Sequence, residues 1–262
     1  MDAHPAESFS CRKTATLQTP DGFQLRCWAA IPGGARAIVI LCHGITTDST
    51  ESGFFSLIEH RFCDLQLACV RFDFRGHGVS SGSPRDVTLS GQLWDLRTVR
   101  SWIDELVDLP VFYLAASFGA SAAVHDADLR LSSGLVLINP ILDYGGIFAR
   151  GESEWGAEIV ASRIDDDPDI AARIPRSDYV LTRRLAQEIE SDDTFEHLIK
   201  IPIPTLIFHG TADKLVPIGP ALRAGEANRL IEVVVYEGGR HGLKDFRVNL
   251  LGQIQSWLLD HV

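Results

Sequence analysis

Apolar positions along the chain follow two alternating spacings. Short, largely apolar runs rich in β-branched residues are typical of strands covered on both faces, as in a parallel sheet; they lie at 37–42, 67–74, 110–116, 134–140, 203–209 and 231–237. Between these runs, apolar residues recur every three or four positions, as at 89–106 and 248–258, which predicts helices with one face on a sheet. Residues 13–31 alternate apolar and polar positions around Pro20-Asp21-Gly22, which predicts a hairpin. Together these patterns predict an α/β domain in which helices flank a mostly parallel sheet.

Residues 141–200 do not follow this alternation. No convincing strand is visible there, and Pro168 and Pro175 interrupt the predicted helices. We therefore interpret residues 1–140 and 201–262 as one core domain, and residues 141–200 as a helical lid or cap inserted over the sheet.

The composition is that of a soluble globular protein and narrows the class of partner. The chain has 262 residues, of which 45% are hydrophobic and 23% charged, which suits a single domain with a sizeable core. The formal net charge of −11 disfavours binding to nucleic acid or to an anionic membrane. No apolar run is long enough for a membrane span, and the first residues lack the order of a secretory signal. We expect a cytoplasmic protein with a small-molecule acyl substrate, and its oligomeric state stays open.

The cysteines do not form the pattern of a disulfide framework or of a zinc site. Their number is odd, none belongs to a C-x-x-C pair, and all lie in the first third of the chain: Cys11, Cys27, Cys42, Cys63 and Cys69. We expect reduced thiols that pack as small hydrophobic side chains.

The stretch FYLAASFGAS places a serine where an apolar strand ends. Ser117 follows the run at 110–116 and precedes a helix predicted to begin near Phe118. Ala115 and Gly119, two residues before and after the serine, are small enough for a tight strand-to-helix corner. Ser117 therefore either ends the strand without a further role or is a nucleophile. The pattern A-x-S-x-G resembles the G-x-S-x-G nucleophile elbow of the α/β-hydrolases, with alanine in place of the first glycine.

A nucleophilic serine needs a base and an orienting carboxylate, and candidates for both lie downstream. Asp213 follows the run at 203–209, and His241 follows the run at 231–237. Because both come after predicted strands, we expect them at the carboxyl edge of the sheet, where open α/β sheets place their sites. Taken singly, Asp213 could cap the next helix and His241 could be a surface histidine. Together with Ser117, in the order serine, aspartate, histidine, they predict a catalytic triad.

Further segments carry the resemblance to the α/β-hydrolase superfamily. RFDFRGHGVSSG, FHGTADKLVP and GGRHG resemble its D-x-R-G-x-G-x-S segment, its acid loop and its histidine loop. The chain is most similar to the compact esterases and the serine-aminopeptidase-like group. His43-Gly44-Ile45 resembles the HG-x loop of the family, which implies an oxyanion hole made by the backbone N–H groups of Ile45 and Phe118. His43 itself is expected to structure this loop.

The triad and the resemblance predict an enzyme that cleaves a carboxylic ester or thioester through an acyl-enzyme, without a metal or an organic cofactor. An acyltransferase, a biosynthetic cyclase or lyase with the same triad, and a non-catalytic binding protein of this fold remain alternatives. Phe148, Trp155 and Tyr179 either line the acyl pocket or pack the lid.

The predicted lid is strongly acidic. Between positions 151 and 200 there are 13 Asp and Glu against 6 Lys and Arg. This surplus would repel anionic substrates, which favours an uncharged ester unless arginines gather at the mouth of the pocket, the candidates being Arg150, Arg163, Arg183 and Arg184.

Two other patterns do not indicate ligand sites. The glycines of RGHGVSSG are spaced G-x-G-x-x-x-G before a loop, whereas dinucleotide binding needs G-x-G-x-x-G at the start of a helix. The run DDDPD lacks the glycine and the distal glutamate of a calcium loop. We expect this run to begin a helix, with Asp167 as the N-cap and Pro168 at the first helical position.

Overall fold

A mixed eight-stranded sheet forms the centre of the fold. The computed structural model describes residues 11–126 and 132–262. Its strands are β1 (Cys11–Gln18), β2 (Gln24–Ile31), β3 (Ala37–Cys42), β4 (Leu67–Phe72), β5 (Val111–Ala116), β6 (Ser132–Ile138), β7 (Ile170–Arg173), β8 (Val180–Thr182), β9 (Thr205–Gly210) and β10 (Ile231–Tyr236). The sheet order is β1-β2-β4-β3-β5-β6-β9-β10, and β7 and β8 form a separate antiparallel pair.

The strand directions confirm the predicted α/β class. β4, β3, β5, β6, β9 and β10 run parallel to one another, and each overlaps one of the six apolar runs. β1 and β2 form the predicted hairpin, and β2 pairs antiparallel with β4.

Helices cover both faces of this sheet. Their bounds are α1 (Phe54–Asp64), α2 (Leu89–Leu106), α3 (Ala120–His125), α4 (Glu154–Ala161), α5 (Arg183–Glu190), α6 (Thr194–Leu198), α7 (Gly219–Ala227) and α8 (Arg247–Asp260). Short 3-10 turns lie at Pro84–Asp86, Ser117–Gly119 and Lys244–Phe246, and a π-helical turn lies at Gly145–Ala149.

The side chains of β3 explain why the central runs are apolar throughout. Ile38 and Ile40 belong to the core on the face covered by α2. Val39 and Leu41 belong to the core on the opposite face, with side chains of α1 and α8. Because successive residues of a strand point to opposite faces, burial of both faces requires an apolar residue at every position.

Helix α8 departs from the predicted stripe at one position. Val248 is 89% exposed, whereas Leu250, Leu251, Ile254 and Leu258 are buried. At about 100° per residue, Val248 lies roughly 100° from the centre of the stripe that these four residues define. The prediction that Val248 packs on the sheet is therefore wrong.

The segment 141–200 contains a hairpin that the sequence pattern did not reveal. β7 and β8 pair antiparallel on either side of Pro175, so the segment is not helical throughout. Asp167 does not cap a helix: its Oδ1 accepts the N–H groups of Asp169 and Ile170, and the chain then enters β7. A side chain that accepts the N–H groups two and three residues later is found both in turns and at the start of helices. The local sequence therefore did not distinguish a turn from a helix at Asp167.

Residues 141–200 pack on the loops that follow the carboxyl ends of the central strands. Their buried side chains share one apolar cluster with Ile45, Phe118 and Val216, which lie after β3, β5 and β9. The segment therefore covers the edge of the sheet at which Ser117 was predicted to lie.

Burial determines the protonation of the cysteine thiols among the described residues. Cys27, Cys42, Cys63 and Cys69 are buried and free of disulfides. Burial raises the pKa of Cys63 to about 11, and the pKa values of the other three lie higher still, so these thiols stay protonated at neutral pH. Among the described helices, none has the length and apolarity needed to cross a bilayer.

Candidate active site

Ser117 sits on a sharp corner between β5 and α3. Its φ is 50°, a left-handed conformation that is uncommon for a residue other than glycine. Gly119 is required by close packing, because a Cβ there would lie 2.4 Å from the carbonyl oxygen of His43. Ala115 is fully buried within β5, and its methyl group is accommodated there. The corner therefore forms with alanine in place of the first glycine.

The structure brings the three predicted side chains into one hydrogen-bonded chain. The Ser117 Oγ lies 3.1 Å from His241 Nε2, and His241 Nδ1 lies 2.8 Å from Asp213 Oδ2. An ionised carboxylate can only accept, so Nδ1 carries the imidazole proton and Nε2 is left to accept from the serine hydroxyl. Asp213 and His241 lie after β9 and β10, as predicted.

Asp213 is held by several donors besides the imidazole. Its Oδ1 accepts the N–H groups of Leu215 and Val216 at 2.9 and 3.0 Å, and its Oδ2 accepts from Asn139 Nδ2 at 2.8 Å. Burial raises the pKa of Asp213, but the hydrogen bond from His241 and the other donors outweigh burial, so the net pKa lies below the usual value. Helix α7 begins only at Gly219, so Asp213 closes the preceding turn and does not cap that helix.

Asn139 is a site residue that the sequence interpretation missed. It follows β6 with φ at 44°, and its Oδ1 accepts the N–H of Gly242 at 3.1 Å. One side chain thus joins the acid Asp213 to the loop that carries His241. The sequence feature that could have identified Asn139 is an Asn-Pro pair at the carboxyl end of a predicted strand. Polar side chains at that position reach the edge of the sheet where open α/β folds place their sites.

The backbone N–H groups of Ile45 and Phe118 lie on the two loops that meet at Ser117. Among the hydrogen bonds of residues 11–126 and 132–262, none has either N–H as its donor. The N–H of Phe118 also lies in the turn that leads into α3, where the helix dipole favours negative charge. Both groups are therefore available to an anion beside the serine.

His43 and His77 hold the loop after β3 in place. The Nδ1 of His43 donates to the Gly44 carbonyl at 2.8 Å, and its Nε2 accepts the N–H of Phe74 at 3.0 Å. Burial lowers the pKa of His43 to about 3, so its ring is neutral. His77 Nε2 lies 2.8 Å from the carbonyl oxygen of Ile45. His43 thus structures the loop and does not contact Ser117 as a second base.

The glycine-rich loop after β4 packs on a carboxylate. Asp73 accepts the N–H groups of Ser49 and Val79 at 2.7 and 2.9 Å. A Cβ at Gly78 would lie 2.2 Å from the Asp73 carboxylate, so only glycine fits. The spacing of these glycines therefore serves packing within the loop.

The three aromatic residues proposed for the acyl pocket lie beside the elbow and the loop after β4. Phe148 and Trp155 are buried, with ring centroids 5.4 Å apart, and Phe148 lies 6.0 Å from Phe118. Tyr179 stacks on His77 with a centroid separation of 4.6 Å.

A cavity of about 360 Å³ opens beside His241. Besides His241, its lining comprises Ala212, Lys214, Leu215, Arg240, Lys244 and Asp245. Lys214 pairs with Glu154 at 2.9 Å, and Arg240 pairs with Asp245 at 3.1 Å. The lining residues thus carry three cations against one carboxylate, and Glu154 of the acidic stretch 151–200 offsets one of the three.

The four arginines named as candidates for the mouth of the pocket are engaged elsewhere. Arg150 pairs with Asp143 and Glu152, and Arg184 pairs with Glu188. Arg163 and Arg183 donate to backbone carbonyl oxygens of the same segment. None of the four lines the cavity beside His241.

Comparisons with known proteins agree with this fold. The profile of the Alpha/beta hydrolase family matches residues 39–246. An uncharacterised protein of Mycobacterium tuberculosis is 25% identical over 210 residues, which cover 78% of this chain and 63% of that protein. Palmitoyl-protein thioesterase ABHD10, mitochondrial, of Homo sapiens is 22% identical over 203 residues, which cover 75% of this chain and 65% of that protein. The chain thus spans less than two thirds of the length of either relative.

A solved structure extends the likeness over nearly the whole chain. Est1E from Butyrivibrio proteoclasticus, with ferulic acid bound, has a TM-score of 0.78 to this chain at 17% identity. The match covers 94% of this chain and 99% of that one. At this identity the likeness shows the fold.

Proposed function

Because the chain belongs to the alpha/beta hydrolase family, we propose that it is a serine hydrolase that cleaves a carboxylic ester or thioester through an acyl-enzyme. The observation that carries the proposal is the continuous chain from Asp213 through His241 to Ser117, with contacts of 2.8 and 3.1 Å. A carboxylate, an imidazole and a hydroxyl in this order can activate the hydroxyl as a nucleophile.

Acylation follows from this arrangement. The Ser117 Oγ attacks the carbonyl carbon of the substrate while its proton passes to His241 Nε2. Asp213 stabilises the imidazolium that forms, and its lowered pKa keeps it ionised. The N–H groups of Ile45 and Phe118 donate to the oxyanion of the tetrahedral intermediate, a contact worth about 10²–10³-fold in kcat per donor. The intermediate collapses as His241 protonates the leaving group, and the acyl group stays on Ser117.

Deacylation repeats these steps with water. His241 takes a proton from a water molecule, which attacks the acyl carbon and forms a second oxyanion in the same place. Collapse returns the proton from His241 to Ser117 and releases the carboxylic acid. No metal or organic cofactor takes part in either half of the reaction.

In this proposal the acyl group and the leaving group of the substrate occupy different regions around Ser117. Residues 141–200 act as a lid in this proposal, and the acyl group contacts the aromatic side chains that the lid brings to Phe118, namely Phe148 and Trp155, with Tyr179 on the side of His77. The leaving group occupies the cavity beside His241, because that imidazole protonates it. The named activity of the human relative, a palmitoyl-protein thioesterase, belongs to the same reaction class.

Labelling with a fluorophosphonate probe, together with turnover of p-nitrophenyl esters of graded chain length and of thioesters, tests the proposal. We expect the wild type to be labelled, and Ser117→Ala and His241→Ala to lose about 10⁴-fold or more in kcat. Asp213→Asn should retain partial activity. Ser101→Ala, which changes an exposed serine on α2, is the matched control and should behave as wild type. Equal labelling or turnover in Ser117→Ala would overturn the proposal.

A further inference from the structure

A second group of ligating side chains lies apart from the serine, where α3 meets α6. His125 is the last residue of α3, Asp193 directly precedes α6, and His197 lies within it. One ligand atom from each residue can be chosen so that all three lie within 4.8 Å of one another. The two imidazole rings are 4.6 Å apart between centroids.

Two separations within this group, each to a different oxygen of Asp193, fall in the range expected around a tetrahedral metal ion. His197 Nδ1 lies 3.3 Å from Asp193 Oδ2, and His125 Nε2 lies 3.6 Å from Asp193 Oδ1. Zinc bonds of about 2.0–2.2 Å to nitrogen and oxygen place neighbouring ligand atoms about 3.3–3.6 Å apart. His197 and Asp193 are both about half exposed, so small rotations of their side chains can bring the three ligand atoms to a common centre.

Oxygen acceptors surround the nitrogen of His125 that faces the group. Besides Asp193, the Oδ1 of Asp192 lies 3.7 Å away and the Oγ1 of Thr194 lies 3.0 Å away. The hydroxyl of Thr194 donates to Asp192 Oδ1 at 2.6 Å, so it turns lone pairs towards His125. A cation in front of His125 Nε2 therefore meets only acceptors, and the two carboxylates supply a charge of −2.

We propose that His125, Asp193 and His197 form a structural zinc site. Two imidazoles and a carboxylate suit a borderline divalent ion such as Zn²⁺, whereas Ca²⁺ and Mg²⁺ prefer sets of oxygen ligands. Asp192 or a water molecule completes the coordination. The ion replaces the proton of His125 Nε2.

The position of the site gives the ion a structural consequence. α3 leads away from the elbow that carries Ser117, and α6 lies near the end of the acidic segment 141–200. Zinc bound between them fastens the end of this segment to the core of the fold. Because the ligands come together only in the folded chain, binding raises the free energy of unfolding.

Zinc binding to the untagged, metal-stripped protein tests the proposal. ZnCl₂ is titrated in competition with a chromophoric zinc indicator, for the wild type, His197→Ala, Asp193→Asn and the control His261→Ala, which changes an exposed histidine at the C-terminal end of α8. We expect one equivalent of Zn²⁺ per wild-type chain, and an affinity at least about 100-fold weaker in His197→Ala and Asp193→Asn. His261→Ala should bind as the wild type does, and millimolar Ca²⁺ or Mg²⁺ should not compete.

Thermal unfolding supplies a second measurement on the same variants. Saturating Zn²⁺ should raise the Tm of the wild type and of His261→Ala but not that of His197→Ala, and a chelator should reverse the shift. The absence of binding by the wild type, or equal affinity in all four proteins, would overturn the proposal. A Tm shift of the same size in His197→Ala would do so as well.

Discussion

At the scale of single residues, two side chains are held in a left-handed backbone conformation at the carboxyl ends of neighbouring strands. Ser117 follows β5 with φ at 50°, and Asn139 follows β6 with φ at 44°. Such a conformation costs a residue other than glycine on the order of 1–3 kcal/mol, so the surrounding fold must compensate for it. In both cases the conformation directs a polar side chain towards His241 or its partner Asp213.

We expect Asn139 to position the acid of the proposed triad. Asn139→Gly removes the amide that donates to Asp213 while relieving the backbone strain, and Asn139→Ala removes the amide but keeps the strain. Both should lower kcat by about tenfold with little change in KM, because the lost hydrogen bond orients Asp213 and not the substrate. Steady-state kinetics on a p-nitrophenyl ester measures this.

The control for this prediction is Asn228→Ala, whose side chain donates to the carbonyl of Ile201, away from the triad. Wild-type kcat in both Asn139 variants would show that Asp213 does not need this donor.

At the scale of elements, the corner between β5 and α3 depends on how closely the elbow approaches the loop after β3. Gly119 has no room for a Cβ because backbone oxygens of His43 and Cys42 lie 2.4 and 2.9 Å from that position. Ala115, by contrast, points into a core that already accommodates its methyl group. The two small residues of the A-x-S-x-G pattern therefore differ in how strictly they are required.

Gly119→Ala should be far more damaging than Ala115→Gly. The added methyl group of Gly119→Ala forces the loop that carries Ile45 to move, which should destabilise the fold by about 1–3 kcal/mol or more and abolish the proposed esterase activity. Ala115→Gly restores the usual pattern and should cost about 1 kcal/mol or less, with kcat within about twofold of wild type. Urea unfolding and kinetics on both variants decide this, and equal tolerance of the two changes would contradict it.

At the scale of the whole molecule, burial lowers the pKa of three histidines, and one of them, His43, is neutral in the folded state. Burial lowers the pKa of His43 to about 3 and also lowers the pKa values of His77 and His209. In the unfolded chain these groups titrate near pH 6.5. The unfolded state therefore binds more protons than the folded state as the pH falls below about 6.5, and unfolding becomes more favourable.

The free energy of unfolding should consequently fall as the pH is lowered from about 6.5 towards 4.5. His43 contributes a slope of about 1.4 kcal/mol per pH unit once its unfolded form is protonated, and the lowered pKa values of His77 and His209 act in the same direction. Asp213, whose folded pKa is lowered, contributes stability that is lost only as the pH falls below about 4. The folded pKa of the buried Asp95 is raised, so Asp95 opposes the histidines as the pH falls, and a histidine variant is needed to assign the slope. Urea unfolding at several pH values measures the slope.

His43→Gln should reduce the pH dependence of the free energy of unfolding by the slope that one bound proton contributes, about 1.4 kcal/mol per pH unit. The exposed control His261→Gln should leave this slope unchanged. The same slope in the wild type and in His43→Gln would contradict the assignment of a neutral, buried His43.

Much of this molecule could be predicted from its sequence by local rules. The six apolar runs identified the parallel strands, because a strand covered on both faces is apolar at every position. Ser117, Asp213 and His241 could be selected because each follows such a run, and the carboxyl ends of parallel strands meet at one edge. The small residues Ala115 and Gly119 indicated the corner at Ser117, because a tight strand-to-helix corner leaves little room for side chains next to it.

Tertiary structure decided what depends on contacts between distant segments. The partners of Asn139, the pairing of β7 with β8, the exposure of Val248 and the meeting of His125 with His197 leave no periodic signal in the chain. Local sequence limits the conformations that each segment can adopt, but it does not contain the distance between two segments. That distance is set when the whole core packs, because burying apolar surface on one element fixes which polar side chains lie opposite on another.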